Sequence, residues 1–350
     1  MHDRHATLEQ PHVTHSRTTA EEIMSPNISP MALGDIFDRS FRLTGRTFVR
    51  NLLIAVSVLL PASILLAYGM NQLFYAFADL LRSGNMRTPD SDTIVQLLST
   101  SSVFFLGYFV FYLGMLFATL AAMIVVCSEL NDQPISWGEA LTTAFSARLL
   151  RAMGFVFLEV LALMGMLMLA FTALAAGITM ESTLTAVIGG LAIPVAILAA
   201  IYLFIRWAFS LPVIAWEDAG VFEAFSRSAY LVRGEWWRVF GIFLLLTIVV
   251  QFGISIVTAP INLFALWGFY SKYFEWLGTV RGGEMDLGVL ADMFSSIGMG
   301  IGASVLVSSV LATLVTPVYH TVMYFDLRAR RGEFLPASPS GEAGEFVSLR

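Results

Sequence analysis

The chain has 350 residues, of which 57% are hydrophobic and only 13% charged, and its formal net charge is −6. A soluble domain carries about 25% charged residues, so this composition argues against an ordinary soluble protein and indicates a membrane protein. The single cysteine, Cys127, excludes an intrachain disulfide and a cysteine metal cluster.

Two polar ends flank the apolar part of the chain. Residues 1–30 are polar and include His2, His5, His12 and His15, and the segment after Arg331 is rich in Pro, Ser and Gly. Such segments cannot bury enough apolar surface to fold. We therefore expect a disordered tail over 1–30, a six-helix membrane domain over 31–332 and a second disordered tail over 333–350.

Six long apolar runs organise the domain. About 20 mostly apolar residues span a bilayer as a helix, so each run predicts one membrane crossing. In chain order the runs cover about 51–68, 102–127, 152–177, 184–205, 239–267 and 294–324. Prolines 61, 194, 260 and 317 interrupt four of them, which membrane helices tolerate at the cost of a kink. The expected fold class is an all-α, polytopic membrane protein.

Arginine is distributed unevenly between the connections of these runs. The connections on one side contain Arg39, Arg42, Arg46, Arg50, Arg148, Arg151, Arg206, Arg227, Arg233, Arg238, Arg328, Arg330 and Arg331. The opposite connections, around 83–99 and 270–290, are acidic. By the positive-inside rule, both termini are expected to be cytoplasmic in a multi-pass protein of the bacterial cytoplasmic (inner) membrane.

A charged stretch precedes several of the apolar runs. Residues 223–238 read EAFSRSAYLVRGEWWR and align without a gap with residues 35–50, DIFDRSFRLTGRTFVR, and a looser copy covers 138–151. Around 223–238 apolar residues recur at three- and four-residue spacing, which predicts a helix lying on the membrane surface. The members of that face are Phe222, Phe225, Ala229, Val232 and Trp236. A threefold repeat of surface helix plus membrane hairpin is one interpretation, and a charged lead-in common to membrane helices is the other.

Glu159, His320 and Gln251 are the candidate polar site inside the apolar runs. Glu159 lies eight residues beyond Arg151, about 12 Å deeper at 1.5 Å rise per residue, and such a carboxylate is costly unless it is paired or protonated. Glu159 predicts either a proton or cation relay or a structural hydrogen bond between helices. His320 is either a second titratable group or an interfacial side chain, and Gln251 is expected to join neighbouring helices.

Charged residues also gather around the fourth-to-fifth connection and the end of the sixth run. They are Arg206, Glu217, Asp218, Glu223, Arg227, Arg238, Asp326, Arg328, Arg330 and Arg331. Arginine forks suit phosphate, so one hypothesis is a lattice that binds a phosphorylated headgroup. The alternative is a salt-bridged rim that ties surface helices to helix ends. Gly298 and Gly302 have the spacing of close helix packing.

Two motifs carry a family resemblance. The stretch 212–240 and the stretch 324–332, YFDLRARRG, are similar to the membrane domain associated with glycerophosphoryl diester phosphodiesterases. The matching positions are Pro212, Glu217, Ala224, Arg227, Ser228, Leu231, Gly234, Trp237 and Arg238, followed by Tyr324, Asp326, Leu327, Arg328 and Arg330. The resemblance covers about 31–332 and implies a stand-alone membrane domain, because no soluble phosphodiesterase domain is present.

The sequence contains no recognisable catalytic signature. It lacks GxxxxGK[ST], HExxH, GxSxG and CxxC, and no Ser, His and acid are arranged as a triad. We therefore expect a non-enzymatic scaffold or accessory component that handles or senses lipids, with no cofactor, no metal and no nucleic acid. Membrane lipids, other membrane proteins or a second copy of the chain are the expected partners. The alternative is a transporter or permease that uses Glu159.

Overall fold

A computed structural model of the chain describes residues 29–83, 90–180, 182–281 and 286–334. Positions 1–28 of the tail expected over 1–30, with its four histidines, lie outside the described residues. The second expected tail lies outside them from position 335 onward.

The described residues form helices and contain no β-strand, as the all-α prediction requires. In chain order the helices are α1 (Leu33–Ser83), α2 (Ser91–Leu130), α3 (Trp137–Ala144), α4 (Ala147–Thr179), α5 (Thr183–Trp207), α6 (Ser210–Glu217), α7 (Val221–Val232), α8 (Trp236–Ala265), α9 (Trp267–Arg281), α10 (Leu287–Ser295) and α11 (Gly298–Arg330).

The described residues contain six candidate membrane spans that are long and apolar enough: α1, α2, α4, α5 together with α6, α8, and α10 together with α11. They coincide with the six apolar runs, which confirms that part of the prediction. The prolines at 61, 194, 260 and 317 all lie inside helices that continue past them.

The acidic connections are more helical than expected. α1 has 51 residues and is therefore about 77 Å long, against about 30 Å for a bilayer core. Its last turns and the first turns of α2 occupy most of the loop expected around 83–99, and α9 and α10 occupy the second loop. Helix signals explain part of this: Asp90 and Asp286 each accept backbone N–H groups as N-caps.

The core of the bundle lies where α1, α2 and α11 pack together. Two small residues allow the close approach of α11 to α1: a Cβ at Gly298 would stand 2.5 Å from Asn71 Cα, and one at Gly302 would stand 2.9 Å from Ala67 Cα. The prediction of close packing at these glycines is confirmed. The α4–α5 hairpin packs mainly on itself and is the least buried pair of long helices.

The three charged stretches fold differently from one another. Residues 221–232 and 137–144 form separate short helices, α7 and α3, each followed by a long helix. The first copy is not separate, because 35–50 belong to the uninterrupted helix α1. The prediction of a separate surface helix over 35–50 is therefore wrong. In the gapless alignment Arg46 stands where Gly234 has a φ of +82°, so the first copy lacks the residue that makes the turn.

Candidate functional site

The residues of the two family-like motifs gather around the short helices α6 and α7. The chain leaves α5 at Trp207 and forms α6. It then reverses at Asp218, whose φ of +54° is the left-handed conformation that ends many helices. α7 starts after Gly220, whose backbone N–H donates to the Glu223 carboxylate at 3.2 Å. Pro212 is buried within α6.

Ser228 fixes α7 to the end of α5. Its Oγ donates to the Arg206 carbonyl at 2.9 Å and accepts the Phe209 N–H at 3.2 Å, and the residue is fully buried. Both bonds satisfy backbone groups of the α5–α6 turn that helix geometry leaves without partners. Ser228 therefore has a defined role in positioning α7.

The residues of α7 that pack into the protein are Ala224, Ser228, Leu231 and Val232. Phe222, from the stripe predicted to face the membrane, is 78% exposed. Phe225 lies between the rings of Phe155 and Trp207, with centroid distances of 4.8 and 4.9 Å. The helix is amphipathic as expected, but its small residues face inward because α5 and α6 approach closely on that side.

One polar network surrounds Asp326, whose side chain is 2% exposed. Oδ2 accepts from Arg238 Nη1 at 2.8 Å and from Arg330 Nε at 3.2 Å, and Oδ1 accepts the Met31 N–H at 2.7 Å. Both arginines also donate to the Met31 carbonyl, at 3.0 and 2.9 Å. The network thus joins the start of the described chain to α8 and α11.

A second network alternates two glutamates with two arginines. Arg227 forms a forked pair with Glu217, with Nε 3.0 Å from Oε2 and Nη2 3.1 Å from Oε1. Glu333 bridges Arg227 and Arg328 at 2.7 and 2.6 Å, and Tyr324 donates its hydroxyl to Glu217. Burial lowers the pKa of Arg227, but the bonds and charges of Glu217 and Glu333 outweigh it and raise that pKa above its ordinary value.

The C-terminal end of α7 is held by Arg331. Its Nη2 donates to the Tyr230 carbonyl at 2.8 Å and also to the Arg233 carbonyl, and its guanidinium stands 4.8 Å from the Tyr230 ring centroid. A cation at the last carbonyls of a helix is favourable. Gly234 then turns the chain into α8, where Trp237 is 77% exposed.

These contacts account for most of the predicted rim. Each guanidinium among Arg227, Arg238, Arg328 and Arg330 bonds a carboxylate of the same chain. Together the two networks hold four arginines and three carboxylates, so little charge is left uncompensated. The salt-bridged alternative therefore describes these four arginines better than a phosphate-binding lattice does.

The structure does not bring the three intramembrane candidates together. Glu159 is half-buried and has no hydrogen-bond or ion-pair partner within the described residues, whereas the His320 ring stacks on Phe243 at 4.7 Å. No hydrogen bond or ion pair joins Glu159 to His320. Gln251 is exposed, and its side chain makes no hydrogen bond in the described part of the chain, so it does not join helices there.

Sequence reasoning missed three contributors to these contacts, Glu333, Phe334 and the backbone of Met31. It also missed the pairing of Asp218. Glu333 lies in the segment assigned to the second tail, and Phe334 beside it stacks on Phe325 at 6.0 Å. Met31 takes part through its backbone N–H and carbonyl, which no side-chain pattern in the sequence can indicate. Asp218 was noted as one of the clustered charges, but its pairing with Arg148 at 3.1 Å and Arg151 at 2.6 Å was not expected. That pairing links the looser repeat copy to the α6–α7 turn.

No group of metal-ligating side chains occurs among the described residues. The polar side chains found here form ion pairs and caps, and none is arranged as a nucleophile with a base. Fold and site together define a helical protein with six candidate membrane spans, held at α6, α7 and the end of α11 by partly buried ion pairs.

The family comparison assigns the chain more narrowly. It belongs to the family described as "Domain of unknown function (DUF7847)", whose model matches residues 37–327. Neither curated proteins nor solved structures gave a significant match. The resemblance to the membrane domain of glycerophosphoryl diester phosphodiesterases stays a prediction.

Proposed function

We propose that the protein is a multi-pass component of the bacterial cytoplasmic membrane, with both termini cytoplasmic, that acts as a non-enzymatic scaffold and senses or handles lipids. The observation that carries this proposal is a set of exposed arginines without ion pairs in the described part of the chain, at positions that flank the long apolar runs. They are Arg42, Arg46, Arg206 and Arg233.

Exposed aromatic side chains support the same reading. Phe222 at the start of α7 and Trp237 at the start of α8 are 78% and 77% exposed, and Trp237 borders the α7–α8 turn that also carries Arg233. Aromatic rings and arginines favour the headgroup level of a bilayer, and each basic residue near an anionic leaflet is attracted by about 1 kcal/mol. A surface of this kind senses headgroup charge without chemistry.

The lipid proposal is tested by reconstitution of the full chain into nanodiscs that contain equal amounts of anionic phosphatidylglycerol and zwitterionic phosphatidylcholine. Native mass spectrometry then counts the lipids retained by the released protein and its copy number. We expect phosphatidylglycerol to be retained several-fold in excess. Equal retention of both lipids would contradict the proposal.

We also propose that the chain is a relative of the membrane domain of glycerophosphoryl diester phosphodiesterases. The motif residues contact one another, which supports the proposal: Glu217 pairs with Arg227 within one motif, and Arg238 pairs with Asp326 between the two. In this proposal the motif residues fasten α7 and α8 to α11. We further propose that α3–α4 and α7–α8 are corresponding units of the repeat.

A second candidate function is transport through the α4 region. The observation that favours it is Glu159, half-buried in α4 without a hydrogen-bond or ion-pair partner in the described residues. A proteoliposome flux assay that compares the wild type with Glu159→Gln tests it, with Glu139→Gln in the short helix α3 as the matched control. Proton-coupled flux lost only in Glu159→Gln would support transport, and equal flux in all three proteins would contradict it.

A further inference from the structure

A cleft of about 340 Å³ lies between the end of α5, the end of α7 and the start of α8. Its lining includes the side chains of Arg206 and Arg233 and the rings of Tyr202 and Trp236. The cleft is separate from the two ion-pair networks, since none of their charged residues lines it.

The two arginines of the cleft are exposed, and neither guanidinium has a hydrogen-bond or ion-pair partner in the described part of the chain. No acidic residue lines the cleft. Arg331 adds positive charge nearby, because it donates to the backbone carbonyl of Arg233. These two arginines therefore differ from those of the networks, whose charge is already compensated by carboxylates.

The remaining wall of the cleft is fixed by aromatic contacts. The rings of Tyr202 and Trp236 stack at 5.7 Å with an interplanar angle of 27°, and Trp236 Nε1 donates to the Tyr202 carbonyl at 3.2 Å. Ser228 holds the Arg206 carbonyl, and the turn at Gly234 sets the position of Arg233. The backbone that carries both arginines is therefore held in place before binding. This lowers the entropic cost of ordering the site when a ligand binds.

We propose that this cleft binds a phosphate group, and that a phosphomonoester headgroup of a membrane lipid is its preferred source. Two guanidinium groups match the charge of about −1.5 to −2 that a phosphomonoester carries at pH 7, and arginine bonds phosphate oxygens in pairs. The rings of Tyr202 and Trp236 suit the bilayer interface, where a headgroup is found. The inference rests on the proposed lipid-contacting function and assigns it a site.

Isothermal titration of the full chain in detergent tests the site. The ligands are short-chain dioctanoyl phosphatidic acid, dioctanoyl phosphatidylcholine and inorganic phosphate. We expect phosphatidic acid to bind at least tenfold more tightly than phosphatidylcholine. Weaker binding of inorganic phosphate would assign the cleft to a lipid headgroup, and equal binding would assign it to free phosphate. No binding of phosphatidic acid or of inorganic phosphate would overturn the proposal.

Matched variants locate the binding. Arg206→Gln/Arg233→Gln is expected to lower the affinity for phosphatidic acid at least tenfold, and Arg206→Lys/Arg233→Lys to restore part of it. Arg82→Gln/Lys272→Gln removes the same charge from outside the cleft, at residues that pair with Asp292 and Glu275, and should change the affinity less than twofold. Unchanged thermal unfolding verifies that each variant is folded. Equal losses in the two glutamine variants would refute the site.

The nanodisc experiment separates this inference from the proposed function. If the wild type retains phosphatidylglycerol in nanodiscs but the titration shows that Arg206→Gln/Arg233→Gln binds phosphatidic acid as tightly as the wild type does, the lipid function stands and the cleft assignment is wrong. If the wild type shows no preference in nanodiscs, the proposed function fails, whatever the titration of the short-chain ligands gives.

Discussion

Arg238 Nη1 donates a 2.8 Å hydrogen bond to Asp326 Oδ2, which lies 88 residues away in the sequence, and the Asp326 side chain is 2% exposed. The same carboxylate accepts from Arg330 and from the backbone of Met31. Three distant parts of the chain therefore meet at one buried charge, and the stability of the assembly depends on it.

Replacement of Asp326 by alanine is expected to lower the free energy of unfolding by about 3 kcal/mol, because two partly buried arginines lose their counter-charge. The measurement is unfolding in mixed micelles followed by circular dichroism. Asp292→Ala is the control, since its pair with Arg82 is about half exposed and contributes about 1 kcal/mol or less. Equal losses in both variants would show that burial of Asp326 does not matter.

Ser228→Ala is expected to destabilise the protein by about 1–3 kcal/mol, because the substitution leaves the Arg206 carbonyl and the Phe209 N–H without their buried partner. Ser226→Ala serves as the control two residues away, where the hydroxyl is exposed and bonds only the Glu223 carbonyl of its own helix. Thermal unfolding of the two variants makes the comparison. A smaller effect at Ser228 than at Ser226 is incompatible with this account.

Gly234→Ala is expected to lower the free energy of unfolding by about 1–2 kcal/mol, because its φ of +82° lies in the left-handed region that Cβ-bearing residues avoid. Gly253→Ala within α8 is the matched control: a Cβ there meets no atom within 4 Å, and alanine stabilises a helix interior by about 1 kcal/mol. Chemical unfolding is the measurement. We expect Gly234→Ala to lower the free energy of unfolding and Gly253→Ala to raise it.

Removal of the C-terminal end is expected to matter only beyond a sharp boundary. A chain that stops at Phe334 keeps the Glu333 bridge and the Phe334–Phe325 stack, so its melting temperature should equal that of the full chain. A chain that stops at Gly332 loses both and should melt several degrees lower. If the two truncated chains melt together, the bridge through Glu333 contributes nothing to stability.

The sequence by itself determined the helical class and the six long apolar helices, because the length of an apolar run is a local property that a bilayer crossing requires. It also located the charged residues of α6 and α7, the close packing at Gly298 and Gly302, and the turn at Gly234. These features depend on residues near in the chain or on one backbone conformation.

Only the tertiary structure decided which charges compensate one another and which stay available. Glu333 reaches Arg227 across 106 residues and the Met31 backbone reaches Asp326 across 295, and no local pattern encodes such pairs. The inward face of α7 and the continuity of α1 through the first charged stretch were likewise set by neighbours and by one glycine absent at position 46. Arg206 and Arg233 stand apart for the same reason: in the sequence they resemble every other arginine, and only packing leaves them beside one cleft with no ion pair to any described residue.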